Sequence, residues 1–272
     1  MRATKSEYCQ LEWLPPSREV NNYDHIAPVY DEVMGDDFCR ITFAGLRELF
    51  ARCLDGASQA TYLDLACGTG AFIQRMASEF GPKCYGIDLS PGQIAVARRK
   101  AHQASVDMTF RVGDVLQTEL PASCDLVTMT FDALNHLRSP GDWASLFRRV
   151  HAALRHGGAF VFDVNSPQRL LHDWSHPEVI IKPNLTYVQC ALDPKITPDC
   201  VRRQCLMLIY AEVESCINRY SALVEHIALR KQRVFQMLRA SGFRTAREIL
   251  LGREVRDQHV FLKNRTYFVA CT

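Results

Sequence analysis

The stretch TYLDLACGTG, residues 61–70, decides the fold. Its apolar run from Tyr62 to Ala66 predicts a buried strand, and Gly68 and Gly70 predict a tight turn that opens a helix. In a strand-turn-helix unit of this kind the backbone comes close to a ligand at the helix N-terminus. The stretch therefore predicts an α/β domain with a site for a nucleoside-like cofactor.

The segments after this turn alternate between the two periodicities. Helices are predicted up to residue 79 and at 91–102 and 142–154, and strands at 84–87, 109–112, 126–130 and 159–164. Five strands that alternate with helices indicate a parallel sheet covered on both faces.

The alternation of predicted strands and helices ends at residue 166. Long strands without intervening helices are predicted at 179–190, 205–213 and 220–229, which indicates an inserted antiparallel lid. A helix at 231–241, closed by Gly242, and strands at 243–250 and 265–271 return to the sheet. We therefore expect an arm and cofactor lid at 1–45, a binding domain at 46–166 and 231–272, and a substrate subdomain at 167–230.

Composition narrows the class of protein. The 272 residues are 47% hydrophobic and 23% charged, with a formal net charge of +2, so the chain is expected to fold and to bind small molecules rather than nucleic acid. No stretch approaches the roughly 18 apolar residues that span a bilayer. The 11 cysteines are scattered without a C-x-x-C pair, which favours free thiols in the cytoplasm and no metal site.

Three positions indicate which cofactor is bound. Ile73 stands where a dinucleotide site has a small residue, which favours a cofactor without a pyrophosphate. Asp88, at the end of the second strand, can accept hydrogen bonds from a ribose, and Asp114 can accept one from an adenine amino group. The alternatives are that Asp88 caps the next helix at Ser90 and that Asp114 only forms a turn.

Together these motifs resemble the class I S-adenosylmethionine-dependent methyltransferases over about residues 60–165. The resemblance implies S-adenosyl-L-methionine as the cofactor and a Rossmann-like seven-stranded sheet of order 3-2-1-4-5-7-6, with the last strand antiparallel. The cofactor-binding residues that it implies in this domain are Asp64, Ala66, Gly68, Gly70, Asp88, Leu89, Asp114 and Val115.

Two further stretches are similar to the glycine, amino-sugar and lincosamide N-methyltransferases, which act on small molecules. The first, YDHIAPVYD at 23–31, implies that Tyr23 and Tyr30 fold over the cofactor. The second, FDALNHL at 131–137, follows the fourth strand, where open α/β sheets place ligands. The resemblance implies that Phe131, Tyr30 and His136 form the catalytic centre, with Phe131 also against the cofactor and His136 as general base. A histidine that merely packs against the next helix is the alternative.

The acceptor pocket is assigned to the lid and to the loop after the fourth strand. The candidate substrate-binding residues are Asp132, Asn135, His136, Tyr187, Tyr210, Tyr220 and His226. In the last lid strand, Tyr220 and His226 share one face because side chains alternate along a strand. The alternative for His226 is a surface pair with Glu225 or Arg230.

The sequence thus predicts a methyltransferase of small molecules, acting as a monomer or homodimer, with nitrogen favoured over oxygen as acceptor. An O-methyltransferase and a non-catalytic cofactor-binding protein remain alternatives. A nicotinamide dehydrogenase is disfavoured by Ile73, and an RNA methyltransferase by the absence of a basic domain.

Overall fold

A computed structural model of the protein describes residues 23–54, 59–104, 108–213, 216–251 and 264–272. The expected arm before residue 23 lies outside these residues. None of the helices described is long and apolar enough to cross a membrane.

Seven strands form the main sheet in the order β3-β2-β1-β4-β5-β12-β11. The strands β1 to β5 are parallel, and β12 runs antiparallel to both of its neighbours. This is the predicted order, with the predicted reversal of the last strand. The strands are Thr61–Leu65 (β1), Lys83–Asp88 (β2), Met108–Val112 (β3), Cys124–Met129 (β4), Leu154–Asn165 (β5), Thr245–Ile249 (β11) and Arg265–Cys271 (β12).

Helices cover both faces of this sheet. They are Asp36–Leu54 (α1), Ala71–Phe80 (α2), Pro91–Ala104 (α3), Pro140–Ala153 (α4) and Lys231–Ala240 (α6). A further short helix, Pro167–Leu171 (α5), follows β5. The helix α4 begins two residues before the prediction because Ser139 caps it, with its hydroxyl accepting from the backbone N–H of Asp142. The central strand β4 is buried along its whole length, so the core lies on both sides of it.

The bulky Ile73 is accommodated by a glycine on the neighbouring strand. A Cβ placed on Gly86 of β2 would lie 2.6 Å from Ile73 Cδ1 and 2.8 Å from Cys67 Sγ. In a dinucleotide site a small residue on the helix allows the helix to pack closely against the strand. Here the helix carries the bulky Ile73, and Gly86 on the strand provides the space instead.

A second, antiparallel sheet is inserted between α5 and α6, in the order β10-β9-β7-β6. It confirms the predicted lid, but 179–190 is not one strand, because Pro183 and Asn184 turn the chain between β6 and β7. The strands are Glu178–Lys182 (β6), Leu185–Ala191 (β7), Lys195–Ile196 (β8, paired with β9), Val201–Val213 (β9) and Cys216–Ala228 (β10).

A short segment before α1, here called the N-terminal strap, consists of the 3-10 helix Asp24–Val29 and the π-helix Asp31–Gly35. Its apolar residues pack with the inner face of the second sheet in one hydrophobic cluster. The helix α1 passes through residue 45 without a break. The division of the chain at 45, 166 and 230 remains a prediction.

Candidate functional site

The glycine loop after β1 has a backbone that few side chains tolerate. Ala66, Gly68 and Gly70 all have positive φ, at 54°, 55° and 75°. The carboxylate of Asp88 holds the loop, because its oxygens accept from the backbone N–H groups of Gly68 and Ser90, each at 2.8 Å. Asp88 therefore makes the capping contact considered above and also holds the glycine loop, while its hydrogen bonds to a ribose stay a prediction.

A buried glutamine beside this loop has unused hydrogen-bonding capacity. Gln93 of α3 is 1% exposed, and neither side-chain amide atom has a hydrogen-bond partner among the described residues. Its Oε1 would lie 3.6 Å from a Cβ placed on Gly68. Buried polar atoms without partners are costly, so the site fits a small cofactor with its own polar groups. The sequence analysis missed Gln93, since one glutamine in a helix carries no pattern.

The other predicted cofactor residues differ in what they contact. Asp64 is buried under the loop, where its carboxylate accepts from the Thr128 hydroxyl at 2.5 Å, and burial raises its pKa to about 7. Asp114 accepts from the backbone N–H of Leu116 at 2.8 Å and so stabilises its own turn. Leu89 is 65% exposed beside Asp88, whereas Val115 is buried in the core.

Two acids fasten the N-terminal strap over the glycine loop. Asp24 accepts from the backbone N–H of Gly92 at 2.7 Å, at the start of α3. Asp31 pairs with Lys100 at 2.7 Å and accepts a hydrogen bond from Thr69 inside the loop. The strap thereby brings Tyr30, and Tyr23 just before it, to the carboxyl edge of the main sheet, and their contact with the cofactor stays a prediction.

A partly open cavity of about 30 Å³, here called the chamber, lies between the strap, the edge of the main sheet and the inner face of the second sheet. Of the predicted residues, it is lined by Tyr23, Tyr30, Phe131, Asp132 and His226. Residues that the sequence analysis missed also line it, namely Asn165, Arg169, Trp174, Gln189, Met207, Val224 and Arg265.

The loop after β4 has a strained backbone that Asp163 holds in place. Phe131 and Asp132 both have positive φ, at 61° and 50°. Their backbone N–H groups donate to the two carboxylate oxygens of Asp163, at 2.7 and 2.9 Å. Arg265 pairs with both acids and lies over the Phe131 ring, 5.3 Å from its centroid. Burial acts to raise the pKa of Asp132, but the Arg265 guanidinium holds this pKa below its ordinary value.

Two histidines meet beside the chamber. His136 Nε2 lies 3.1 Å from the Tyr23 hydroxyl and 3.0 Å from Nε2 of His226. The His136 ring also hydrogen bonds to the backbone of Glu225, which leaves Nδ1 as the donor and Nε2 as an acceptor. Burial lowers the pKa of both histidines, so both imidazoles are neutral at pH 7. His226 is 4% exposed and therefore makes no surface pair.

Five predicted substrate residues do not line the chamber, and one of them is His136, which lies beside it. The other four lie farther away. Asn135 is fully buried, and its amide group joins the ends of β5 and β10 through Asn165 and Ile227. Tyr187 is buried and donates to Gln189, while Tyr220 packs farther along the inner face of the second sheet. Tyr210 is 42% exposed and alternates with the inward residues of β9, so it lies on the outer face.

Comparison with known proteins agrees with this architecture. Residues 63–158 match a family model described as a methyltransferase domain. A putative methyltransferase of Geobacillus sp. (strain WCH70) is 34% identical over 110 residues, which are 40% of this chain and 44% of that protein. The chain thus spans about half the length of the curated relatives that it matches.

Solved structures share the fold at low identity. An S-adenosylmethionine-dependent methyltransferase from Clostridium acetobutylicum has a TM-score of 0.73 and 19% identity, over 92% of this chain and 98% of that one. The sugar N-methyltransferase KedS8 from a Streptoalloteichus species has a TM-score of 0.67 and 20% identity, over 95% of both chains.

The curated sequence relatives also include an O-methyltransferase. A ubiquinone biosynthesis O-methyltransferase of Pseudomonas paraeruginosa is 31% identical over 40% of this chain and 47% of that one.

Residues 63–158 thus match a methyltransferase domain, and the chain shares the fold of solved S-adenosylmethionine-dependent methyltransferases. The predicted fold class is confirmed, and the predicted methyltransferase class is confirmed at the level of the domain that residues 63–158 match. S-adenosylmethionine as the cofactor of this chain stays a proposal, supported by neighbours such as the S-adenosylmethionine-bound CalS10. The individual site residues stay predictions, as does the acceptor.

Proposed function

We propose that this protein transfers a methyl group from S-adenosylmethionine to a small-molecule acceptor, with an amine nitrogen favoured over a hydroxyl oxygen. The chamber carries the proposal. It joins the cofactor loop through Tyr30, whose ring would lie 3.9 Å from a Cβ placed on Gly68. Its volume of about 30 Å³ is that of one or two water molecules, so it fits the reacting end of an acceptor rather than a whole molecule.

The lining supports a polar acceptor. Asn165 Oδ1 and Trp174 Nε1 are buried and, within the described part of the chain, have no hydrogen-bond partner. Asn165 Oδ1 accepts hydrogen bonds and Trp174 Nε1 donates them. A methyl-acceptor substrate with both a hydrogen-bond donor and a hydrogen-bond acceptor would satisfy the two atoms. The relatives include both N- and O-methyltransferases, so the choice between nitrogen and oxygen is part of the proposal.

Gly68, Gly70, Asp88 and Gln93 would hold the cofactor. When bound, S-adenosylmethionine supplies an electrophilic methyl group on a sulfonium. The main work of the protein is then to align the acceptor and limit its contact with water, and the strap and the second sheet line the chamber on two sides. An ammonium acceptor must also lose a proton, and the acceptor nitrogen Nε2 of the neutral His136 is the proposed place for it.

The test is a methyl-transfer assay with mass spectrometry on amines and on the hydroxyl compounds of the same carbon skeletons. The amines should show the higher kcat/KM, and a preference for the hydroxyl compounds would overturn the choice of nitrogen. His136→Ala should lower kcat by about 10²–10⁴-fold and leave cofactor affinity unchanged. His102→Ala, at an exposed site on α3, is the matched control. Unchanged turnover in His136→Ala would contradict its role as base.

The wider setting is also proposed rather than established. Cytoplasmic location, the absence of nucleic-acid partners and a monomeric or homodimeric state rest on the composition alone.

A further inference from the structure

Three side chains beside the chamber converge on one point. Asp132 follows β4, His136 lies in the next helical turn, and His226 is on β10, so three separate parts of the chain bring them together. Each offers one ligand atom, and these atoms all lie within 4.8 Å of one another.

Two of the three distances between ligand atoms match a metal centre. His136 Nε2 and His226 Nε2 are 3.0 Å apart, His226 Nε2 is 3.5 Å from Oδ2 of Asp132, and the three ligand atoms all lie within 4.8 Å of one another. Ligands at about 2.0–2.2 Å from a cation, with angles between octahedral and tetrahedral, are themselves roughly 2.9–3.5 Å apart. Two imidazoles and one carboxylate are a common donor set for first-row divalent cations, with open positions for water or substrate.

The surroundings also fit. His136 is oriented by its hydrogen bond to the Glu225 backbone, and Asp132 Oδ2 accepts from the Asn165 amide at 2.8 Å. Such second contacts commonly fix the ligands of metal sites. Arg265 contacts the other oxygen of Asp132, but Asp163 balances its charge, so the carboxylate of Asp132 leaves a net negative charge for a cation.

We infer that Asp132, His136 and His226 form a binding site for a divalent transition-metal ion. The sequence analysis expected no metal, because these residues are separated by up to 94 positions and form no spacing motif. The site goes beyond the proposed function. A cation bound here would take the His136 lone pair that the proposed proton transfer uses, so occupancy should inhibit methylation of amines.

The test is a titration of the EDTA-treated, dialysed full chain with Co²⁺, followed by its visible d–d absorption. The bands should saturate at a single equivalent, without the thiolate-to-cobalt charge-transfer band that the cysteines would produce. His226→Ala should weaken Co²⁺ binding by more than about 100-fold, since loss of a mere outer contact costs about 10–100-fold. His102→Ala should bind like the wild type.

His226→Cys distinguishes a ligand from a structural residue. It should keep the visible bands and gain the charge-transfer band, a change that an unfolded or loosened protein would not produce. Three results would overturn the site: no visible bands in the wild type, a charge-transfer band in the wild type, or unchanged binding in His226→Ala.

These readouts do not need turnover. Failure of methyl transfer would leave the Co²⁺ spectra as they are, and absence of Co²⁺ binding would refute the metal site while the methyl-transfer assay stands. A cobalt-loaded wild type that methylates amines as fast as the metal-free protein would contradict the inhibitory effect.

Discussion

Removal of the Asp163 carboxylate should damage the site and the fold together. Asp163 is fully buried, accepts two backbone N–H groups from Phe131 and Asp132, and pairs with Arg265. In Asp163→Ala the backbone N–H groups of Phe131 and Asp132 lose their hydrogen-bond acceptor. Arg265 loses one of its two carboxylate partners, and both losses occur at a buried position.

The magnitude follows from these contacts. A hydrogen bond to a charged group contributes about 1.5–3 kcal/mol, and breaking a buried ion pair from one side costs about 3–5 kcal/mol. Because the contacts share one carboxylate, these values do not add, and we expect a loss of about 3–5 kcal/mol. That is a large share of the roughly 5–15 kcal/mol by which domains are stable.

Urea unfolding followed by circular dichroism measures this loss. Asp163→Asn preserves the shape and provides a milder variant if the alanine variant does not fold. Glu79→Gln is the control, since its ion pair with Arg47 is exposed and such pairs contribute about 0–1 kcal/mol. A cost below about 1 kcal/mol for Asp163→Ala would refute the argument. Turnover should also fall more than cofactor affinity, because the strained residues face the chamber rather than the glycine loop.

Three more predictions concern the cofactor side of the sheet. Asp88→Ala should weaken S-adenosylmethionine binding by about 10–100-fold in calorimetry, because charge-assisted hydrogen bonds are lost. Asp114→Ala should weaken this binding less, because the Asp114 carboxylate stabilises a turn. Equal losses of affinity in the two variants would contradict this difference. Burial raises the pKa of Asp64 to about 7, so the folded chain binds a proton that the unfolded chain releases near pH 4. Stability should therefore fall by up to about 4 kcal/mol between pH 4 and 7, and Asp64→Asn should remove that slope in urea unfolding. Gly86→Ala should destabilise by about 1–3 kcal/mol in thermal or urea unfolding, because its Cβ would overlap the core, while Gly141→Ala, whose Cβ would meet only Ser139 Oγ at 3.4 Å, should be near neutral.

The parallel sheet with helices on both faces could be predicted from the sequence because its signals are local. The strand-turn-helix at 61–70 and the alternation after it predict parallel strands with helical crossovers. Gly68, Gly70 and Asp88 could be assigned for the same reason, since each follows a strand whose end lies at one edge of the sheet. The order of the strands came from the resemblance to class I S-adenosylmethionine-dependent methyltransferases.

The acceptor side was decided only by tertiary structure. Arg265 comes from the last strand and Asp163 from the fifth, yet both reach the loop after the fourth, and no spacing in the sequence relates them. The same holds for Gln93 and Trp174, which stand out because each buries polar atoms that have no hydrogen-bond partner among the residues described. Tyr210 was predicted to contact the substrate but lies on the outer face of β9. The alternation along β9 could be predicted, but which of its faces points inward depends on what the second sheet packs against. Local periodicity therefore determined the scaffold of this protein, and long-range packing determined which side chains face the chamber.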